Sequence, residues 1–182
     1  IDGARLVNAS VALGVPLAEL AAPANSVALS LNKGLSAPMG TILAGSEAVV
    51  ERARLMLQRL GGASVHRAGI PAAAGLVALE TMVDRIADDH RRARELALLL
   101  AEIPGLQLAP EVIETNIVLV DTTATGVEPA VILERLRERG VRALEIHMNR
   151  MRFVTHRLVS DEDIERAAEL VALTVADCTE AA

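Results

Sequence analysis

The sequence predicts an α/β protein in which residues 1–80 alternate helices with strands and residues 81–182 form a small α+β domain. The first part shows apolar stretches of strand length between stretches of helical periodicity. The second part shows three short strand patterns around one helix pattern, followed by a long C-terminal helix. A small antiparallel sheet covered by helices is the usual structure of such a pattern.

Glycine and proline positions delimit the elements of the first part. Gly14 and Gly61 each follow the last residue of a helical pattern, where glycine commonly ends a helix. Between two strand patterns lies the segment 32–39, which has the Asn, Gly, Ser and Pro content of a loop. The predicted helices are 5–13, 17–22 and 47–60, and the predicted strands are 26–31 and 40–44.

One long helix is predicted to connect the two parts. Apolar residues keep helical spacing from about residue 70 to residue 100, and Pro104 with Gly105 should end the helix. In the second part, Pro129 starts a helix, Gly140 follows it, and Ser160 caps the last helix. The predicted strands there are 116–120, 143–147 and 151–156, and the predicted helices are 129–139 and the one that begins after residue 160.

Composition excludes several classes of protein. The chain has 182 residues, 52% of them hydrophobic and 23% charged, so it is not intrinsically disordered. A net charge of −6 argues against a nucleic-acid surface, and no apolar run is long enough to cross a membrane. Cys178 is the single cysteine, which excludes an internal disulfide and a zinc site of several thiolates. We expect a cytoplasmic protein without a bound metal.

The start of the chain predicts a missing segment. Ile1-Asp2-Gly3-Ala4-Arg5 has no initiating methionine and resembles the end of a strand that runs into a turn and a helix. We therefore expect that an N-terminal portion precedes it.

Lys33 is the first candidate for chemistry. It is the only lysine beside 17 arginines, and an arginine replaces a lysine that carries only surface charge but not one that acts as a nucleophile. The apolar strand that leads into Lys33 predicts partial burial, which would lower its pKa towards the neutral, reactive amine. The alternative is a solvated loop lysine.

Three further charged residues are candidates. Asp2, at the carboxyl end of a strand, could hold a protonated ring nitrogen or cap the following helix, and Arg5 lies beside it. Arg152 lies in an apolar strand and needs an anion, either a structural carboxylate or a substrate carboxylate. His156 is expected on the same strand face, as a hydrogen-bonded structural residue.

The remaining reactive residues point to no particular chemistry. His66 and Arg67 lie on a glycine-rich loop, where they could reach a phosphate or a neighbouring subunit or be solvated. His147 and Cys178 have no partners that suggest a metal site.

Five segments, in order, resemble the low-specificity L-threonine aldolases, which are enzymes of fold type I that depend on pyridoxal 5′-phosphate. The ordered set covers nearly the whole chain. The segments are Asp2-Gly3-Ala4-Arg5-Leu6-Val7-Asn8-Ala9, residues 26–40 around Asn32-Lys33-Gly34, residues 68–76, Glu114-Thr115-Asn116-Ile117-Val118 and Arg152-Phe153-Val154-Thr155-His156.

The resemblance implies the roles of the candidate residues. Residues 1–80 would be the C-terminal part of a large cofactor-binding domain. Lys33 would bind pyridoxal phosphate covalently, Asp2 would pair with its ring nitrogen, and Arg5 would contact the cofactor and, with Arg152, the substrate carboxylate. A β-hydroxy-α-amino acid would be cleaved to glycine and an aldehyde, in a homotetramer built as a dimer of dimers.

The chain also departs from this family. Asn32 stands where serine is usual, Ser36 stands where glycine is common, and residues 61–69 differ most. The alternatives are another fold-type I enzyme, either a β-eliminating lyase or an aminotransferase, and a non-catalytic fragment that acts only in an assembly.

Overall fold

The chain forms two compact units, Ile1–Ala87 and Asp88–Ala182. The computed structural model describes residues 1–62, 68–147 and 149–180. No helix in these ranges is both long enough and apolar enough to cross a membrane. The predicted assignment of residues 1–80 and 81–182 to two functional domains stays a prediction.

The first unit is a three-stranded sheet with helices. The sheet order is β1-β2-β3, with β1 parallel to β2 and β2 antiparallel to β3. The elements are β1 (Asp2–Gly3), α1 (Leu6–Leu13), α2 (Leu17–Ala21), β2 (Ser26–Ser30), β3 (Thr41–Gly45), α3 (Glu47–Arg59) and α4 (Gly69–Thr81).

A small apolar cluster holds the first unit together. It joins α1, the segment after β2, α4 and residue 86, and its buried members are Val7, Leu31, Leu35, Ala37, Ala78 and Ile86. Gly14 ends α1 in the left-handed conformation, with φ of 65°, as its position after the helical pattern predicted. Gly75 lets α4 approach the cluster, because a Cβ there would lie 2.8 Å from Cδ1 of Leu31.

The second unit is a three-stranded antiparallel sheet with helices. The sheet order is β4-β6-β5, so β6 is the central strand. The chain enters this unit within α5 (Ile86–Ala101), and the following elements are β4 (Ile117–Asp121), α6 (Pro129–Glu138), β5 (Leu144–Ile146), β6 (Arg150–Val154) and α7 (Asp161–Glu180).

Alternation along the strands places one face of this sheet in the core. Val118 and Val120 of β4 and Met151 and Phe153 of β6 are buried in the same cluster as the apolar residues of α5, α6 and α7. Successive side chains of a strand point to opposite faces, so burial of every second residue gives a sheet with one buried face. The opposite face of β6 carries Arg152.

The last helix begins at a reciprocal cap, as the sequence predicted. The Asp163 backbone N–H donates to Oγ of Ser160 at 3.1 Å, and the Ser160 N–H donates to Oδ2 of Asp163 at 2.8 Å. These bonds satisfy amide groups that the helix leaves without internal partners. The Ser160 hydroxyl also donates to Oδ2 of Asp163, at 2.9 Å. The bonds from the Ser160 N–H and hydroxyl lower the pKa of Asp163 from its ordinary value, because both stabilise the carboxylate.

The prediction of one helix over residues 70–100 is wrong. The chain leaves helical geometry after Thr81 and resumes it at Ile86. Leu79, Met82 and Val83 nevertheless pack against the same cluster as Ile86. The apolar spacing therefore continues through the break, and for this reason periodicity alone does not reveal it.

Gly3 tests the close contact between β1 and β2. A Cβ at this position would lie 2.7 Å from the carbonyl oxygen of Ala28, so the parallel pair would have to separate. We expect Gly3→Ala to lower the free energy of unfolding by about 1–3 kcal/mol, the usual effect of overpacking. Urea denaturation measures this change.

The matched control is Gly69→Ala in the first turn of α4. No heavy atom lies within 4 Å of a Cβ at Gly69, and alanine is the better helix former. This variant should be as stable as the parent or more stable. Equal stability of the two variants would contradict the close packing of β1 on β2.

Candidate functional site

Lys33 lies in a tight turn of the segment that joins β2 to β3, residues 31–40, here called the Lys33 loop. The Ser36 N–H donates to the Lys33 carbonyl at 2.8 Å, and the Ala37 N–H donates to the Leu31 carbonyl at 2.9 Å. Leu31, Leu35 and Ala37 are buried and anchor the loop in the first unit. The loop therefore presents Lys33 from a defined backbone position.

The prediction that Lys33 is partly buried is wrong for the chain as described, because its side chain is exposed. The apolar residues before Lys33 do turn inward, but they hold the base of the loop. Lys33 itself lies at the tip, between the anchors Leu31 and Leu35, and faces outward. The apolar strand that led to the prediction includes the buried anchor Leu31, but the burial does not extend to Lys33.

The backbone next to Lys33 is close to its neighbours. A Cβ on Gly34 would lie 3.2 Å from Oδ1 of Asn8 and 3.4 Å from Cδ1 of Ile86. Asn8 is a buried polar residue of α1. Ser36 has φ of 57°, a left-handed conformation that is costly for a residue other than glycine. The loop is thus closely packed at Gly34 and strained in its backbone at Ser36.

Asp2 and Arg5 lie at the same edge of the sheet as the Lys33 loop. Asp2 pairs with Ala28 and Gly3 with Leu29 in the parallel register, so the carboxyl ends of β1 and β2 coincide. Ligands of α/β proteins commonly bind at this edge. The structure therefore brings three of the predicted site residues to one edge of the first unit.

The Asp2 side chain is bound locally. Its Oδ1 accepts a hydrogen bond from the Ala4 N–H at 3.2 Å, in the turn before α1 begins at Leu6. Arg5 occupies the position that precedes the helix, and no side chain caps it. Asp2 therefore does not cap α1, which was the alternative role, and its role towards a cofactor stays a prediction.

Arg152 lies at the centre of the second unit's sheet. Its neighbours across the strands are Leu119 of β4 and Leu144 of β5, both exposed apolar residues. Its Nε is buried and makes no hydrogen bond within the part of the chain that the structure describes. No ion pair to Arg152 occurs among those residues either. The structural salt bridge considered for Arg152 is therefore not observed there.

The expectation that His156 shares the strand face of Arg152 is wrong. Strand β6 ends at Val154, and His156 lies exposed in the turn that follows. Its Nδ1 accepts a hydrogen bond from the Leu158 N–H at 3.3 Å, so it is a hydrogen-bonded turn residue.

The other candidates form no site within the described residues. His66 and Arg67 lie outside the described residues. Cys178 is buried in the core of the second unit. In residues 1–62, 68–147 and 149–180, no three His, Cys, Asp or Glu side chains are placed to hold a metal ion.

The second unit contains a set of buried polar residues that the sequence analysis did not identify. Asn116, Thr155, Asp89 and His90 are all buried. The pKa of His90 is lowered, chiefly because burial disfavours its charged form, and the charge of Arg94 adds to this while Asp89 opposes it.

Periodicity could have revealed these buried residues. Asn116 continues the inward alternation of Val118, and Thr155 continues that of Phe153. Asp89 and His90 precede the buried Ala93 by one helical turn.

Comparison with known proteins relates the chain to one family. The family model described as beta-eliminating lyase matches residues 1–124. The probable low-specificity L-threonine aldolase 2 of Arabidopsis thaliana is 40% identical over 168 residues, which are 91% of this chain and 46% of that protein. Low-specificity L-threonine aldolase 1 of the same plant is 35% identical over 165 residues, 90% of this chain and 46% of that protein.

The fold is also found in solved structures. A candidate aromatic amino acid beta-eliminating lyase/threonine aldolase from Exiguobacterium sp. 255-15 has a TM-score of 0.75 at 23% identity, covering 95% of this chain and 51% of that one. This similarity confirms the predicted fold class, α/β of fold type I. The chain spans about half the length of the relatives that it matches.

Ser36 tests the strain in the Lys33 loop. Glycine adopts a φ of 57° without steric cost, whereas alanine does not. We expect Ser36→Gly to be more stable than Ser36→Ala by about 1 kcal/mol in urea denaturation. Ser30, which pairs with Thr41 in the ladder of β2 and β3, is the control position. Glycine weakens a strand, so Ser30→Ala should be more stable than Ser30→Gly. The same order at both positions would contradict the left-handed geometry of Ser36.

Proposed function

The chain belongs to the beta-eliminating lyase family, and on this premise we propose that the protein cleaves a β-hydroxy-α-amino acid of the threonine or allo-threonine type to glycine and an aldehyde. The resemblance to threonine aldolases is confirmed by the Arabidopsis relatives, which carry that name. The observation that carries the proposal is the exposed Lys33 on an anchored turn, at the same edge of the sheet as Asp2.

Pyridoxal 5′-phosphate is the cofactor of this family. The residues at the carboxyl edge of β1 and β2 fit it. Lys33 offers a primary amine there, and Asp2 offers an exposed carboxylate. When bound, the cofactor supplies an electron sink for the bond that breaks at Cα of an amino acid.

Each residue of the first unit has a distinct task in this proposal. Lys33 holds the cofactor through its amine, which only a lysine can do at this position. Asp2 keeps a proton on the ring nitrogen by providing a negative charge beside it. Arg5 lies at the same edge and contributes positive charge towards anionic groups.

Arg152 is proposed to bind the carboxylate of the amino acid. A guanidinium with a buried and unbonded Nε keeps a strong donor ready for an anion. The exposed Leu119 and Leu144 flank it on the neighbouring strands, so a ligand there would meet apolar side chains beside the guanidinium. The ligand expected there is a small carboxylate.

β-Elimination is the second candidate reaction. The matching family model is named for beta-eliminating lyases, and the Exiguobacterium structure is named both as a beta-eliminating lyase and as a threonine aldolase. Elimination and transamination use the same cofactor residues, so the products distinguish the reactions. Aldehyde and glycine indicate aldol cleavage, ammonia and a keto acid indicate elimination, and a keto acid without ammonia indicates amino transfer.

An assembly of identical subunits is part of the proposal. The first unit exposes large apolar side chains on α4, where Ile70, Leu76 and Val77 are each more than half exposed. Helix α3 has no buried residue, and Leu60 after it is 84% exposed. Such surfaces usually have a partner. The dimer of dimers, the cytoplasmic location and the alternative of a fragment that acts only in an assembly stay predictions.

Lys33 should be essential for activity. Lys33→Arg keeps a positive charge but removes the amine, so aldehyde release should fall roughly a thousandfold or more. Met39→Ala, an exposed change in the same loop, should retain activity within about twofold and serves as the control. Lys33→Arg with normal aldehyde release would contradict the role of Lys33.

Arg152 should determine the affinity for the amino acid. We expect Arg152→Ala to raise KM for the β-hydroxy-α-amino acid roughly 10- to 100-fold, as loss of a hydrogen bond to a charged group does. The matched control is Arg150→Ala on the same strand, because Arg150 lies 3.7 Å from Asp121 and is exposed. Equal KM values for the two variants would contradict carboxylate binding by Arg152.

A further inference from the structure

Two buried polar residues connect the ends of the central strands in the second unit. The Thr155 N–H donates to the Asn116 carbonyl at 3.1 Å, and Nδ2 of Asn116 donates to the Thr155 carbonyl at 2.8 Å. Both residues are almost fully buried. This pair is called the Asn116–Thr155 clamp below.

The clamp also reaches the helix that enters the unit. Oγ1 of Thr155 donates to the backbone carbonyl of Asp89 in α5 at 2.6 Å. Three buried hydrogen bonds therefore join the residue before β4, the residue after β6 and the first turns of α5. Because Asn116, Thr155 and Asp89 are buried, a lost partner leaves a buried polar group unsatisfied, so these bonds restrain the end of β6.

Arg152 depends on this strand for its position. It lies three residues before Thr155, in the central strand of the sheet. In the described part of the second unit, neither a hydrogen bond nor an ion pair holds its guanidinium. The backbone of β6 sets where the Arg152 side chain begins, and the burial of its Nε restricts where the guanidinium can lie.

We propose that Asn116 and Thr155 are positioning residues that hold β6 so that Arg152 meets the substrate carboxylate. The proposal rests on the proposed function, in which Arg152 binds that carboxylate. Neither residue touches the substrate. Their effect passes through the backbone of β6, and a small displacement of this backbone weakens a directional hydrogen bond to a carboxylate.

Thr155→Val tests the proposal, because valine has the shape of threonine without the hydroxyl. We expect KM for the β-hydroxy-α-amino acid to rise about tenfold, equivalent to one weakened charge-assisted hydrogen bond, with kcat within about twofold. Thr155→Ser keeps the hydroxyl and should restore KM. Amide hydrogen exchange of residues 150–154 should be faster in Thr155→Val than in the parent.

Thr174→Val is the matched control in the same unit. Thr174 is fully buried, and its hydroxyl donates to the Leu170 carbonyl within α7 at 2.6 Å. The same hydroxyl accepts a hydrogen bond from Nη1 of Arg139 at 2.9 Å. This variant therefore loses two bonds away from β6, so its stability should fall while KM and the exchange of residues 150–154 stay unchanged.

The Arg152→Ala background separates positioning from general damage. If Thr155 acts through Arg152, Thr155→Val should change KM by less than about twofold once Arg152 is removed. A full tenfold effect in that background would overturn the proposal, as would unchanged exchange of β6 in Thr155→Val. A parent protein that binds no amino acid would instead overturn the proposed function, whatever the exchange measurement shows for the clamp.

Discussion

The parallel pairing of β1 with β2 is the constraint on which the candidate site depends. The Ala28 N–H donates to the Ile1 carbonyl at 3.0 Å, and Gly3 allows the two backbones to approach closely. This pairing brings the carboxyl ends of both strands to one edge. Asp2 and the Lys33 loop lie at the same edge of the sheet for this reason, although they are far apart in the sequence.

The loop that carries Lys33 combines firm anchors with an exposed tip. Leu31 and Leu35 are buried in the apolar cluster of the first unit, and Gly34 packs against Asn8. A nucleophilic amine needs access to its partner together with a defined position. Burial of the residues on both sides of Lys33 provides the position, and exposure of Lys33 itself provides the access.

In the second unit, a strand instead of a loop gives the candidate residue Arg152 a defined position. Arg152 lies on the open face of β6, while Met151 and Phe153 bury the other face in the core. Alternation along the strand therefore separates the ligand-binding candidate from the packing residues. The hydrogen bonds of Asn116 and Thr155 hold the end of that strand from within the core.

Local chemistry made most of the fold predictable. Glycines after helical patterns, alternating apolar residues and the Ser160 cap gave elements that agree with the structure to within one or two residues. The break after Thr81 was not predictable, because apolar spacing continues through it. The exposure of Lys33 and the contacts of Thr155 depend on residues distant in sequence, which periodicity does not describe.

The candidate residues themselves were found by composition and by resemblance. Lys33 drew attention as the single lysine among many arginines. Arg152 drew attention because an arginine in an apolar strand needs an anionic partner. The structure adds that Arg152 keeps a buried donor without a partner in the described ranges. Asn116 and Thr155 lay within recognised segments, but only the hydrogen bonds reveal what they do.

The most direct test of the central claim is the mass of the purified protein after reduction with borohydride, with the modified peptide identified. Reduction fixes an imine between an amine and pyridoxal phosphate as a stable bond. The account predicts one added cofactor mass per chain, located on Lys33, together with loss of the visible absorbance. A cofactor-containing protein that shows no added mass on Lys33 would contradict the account.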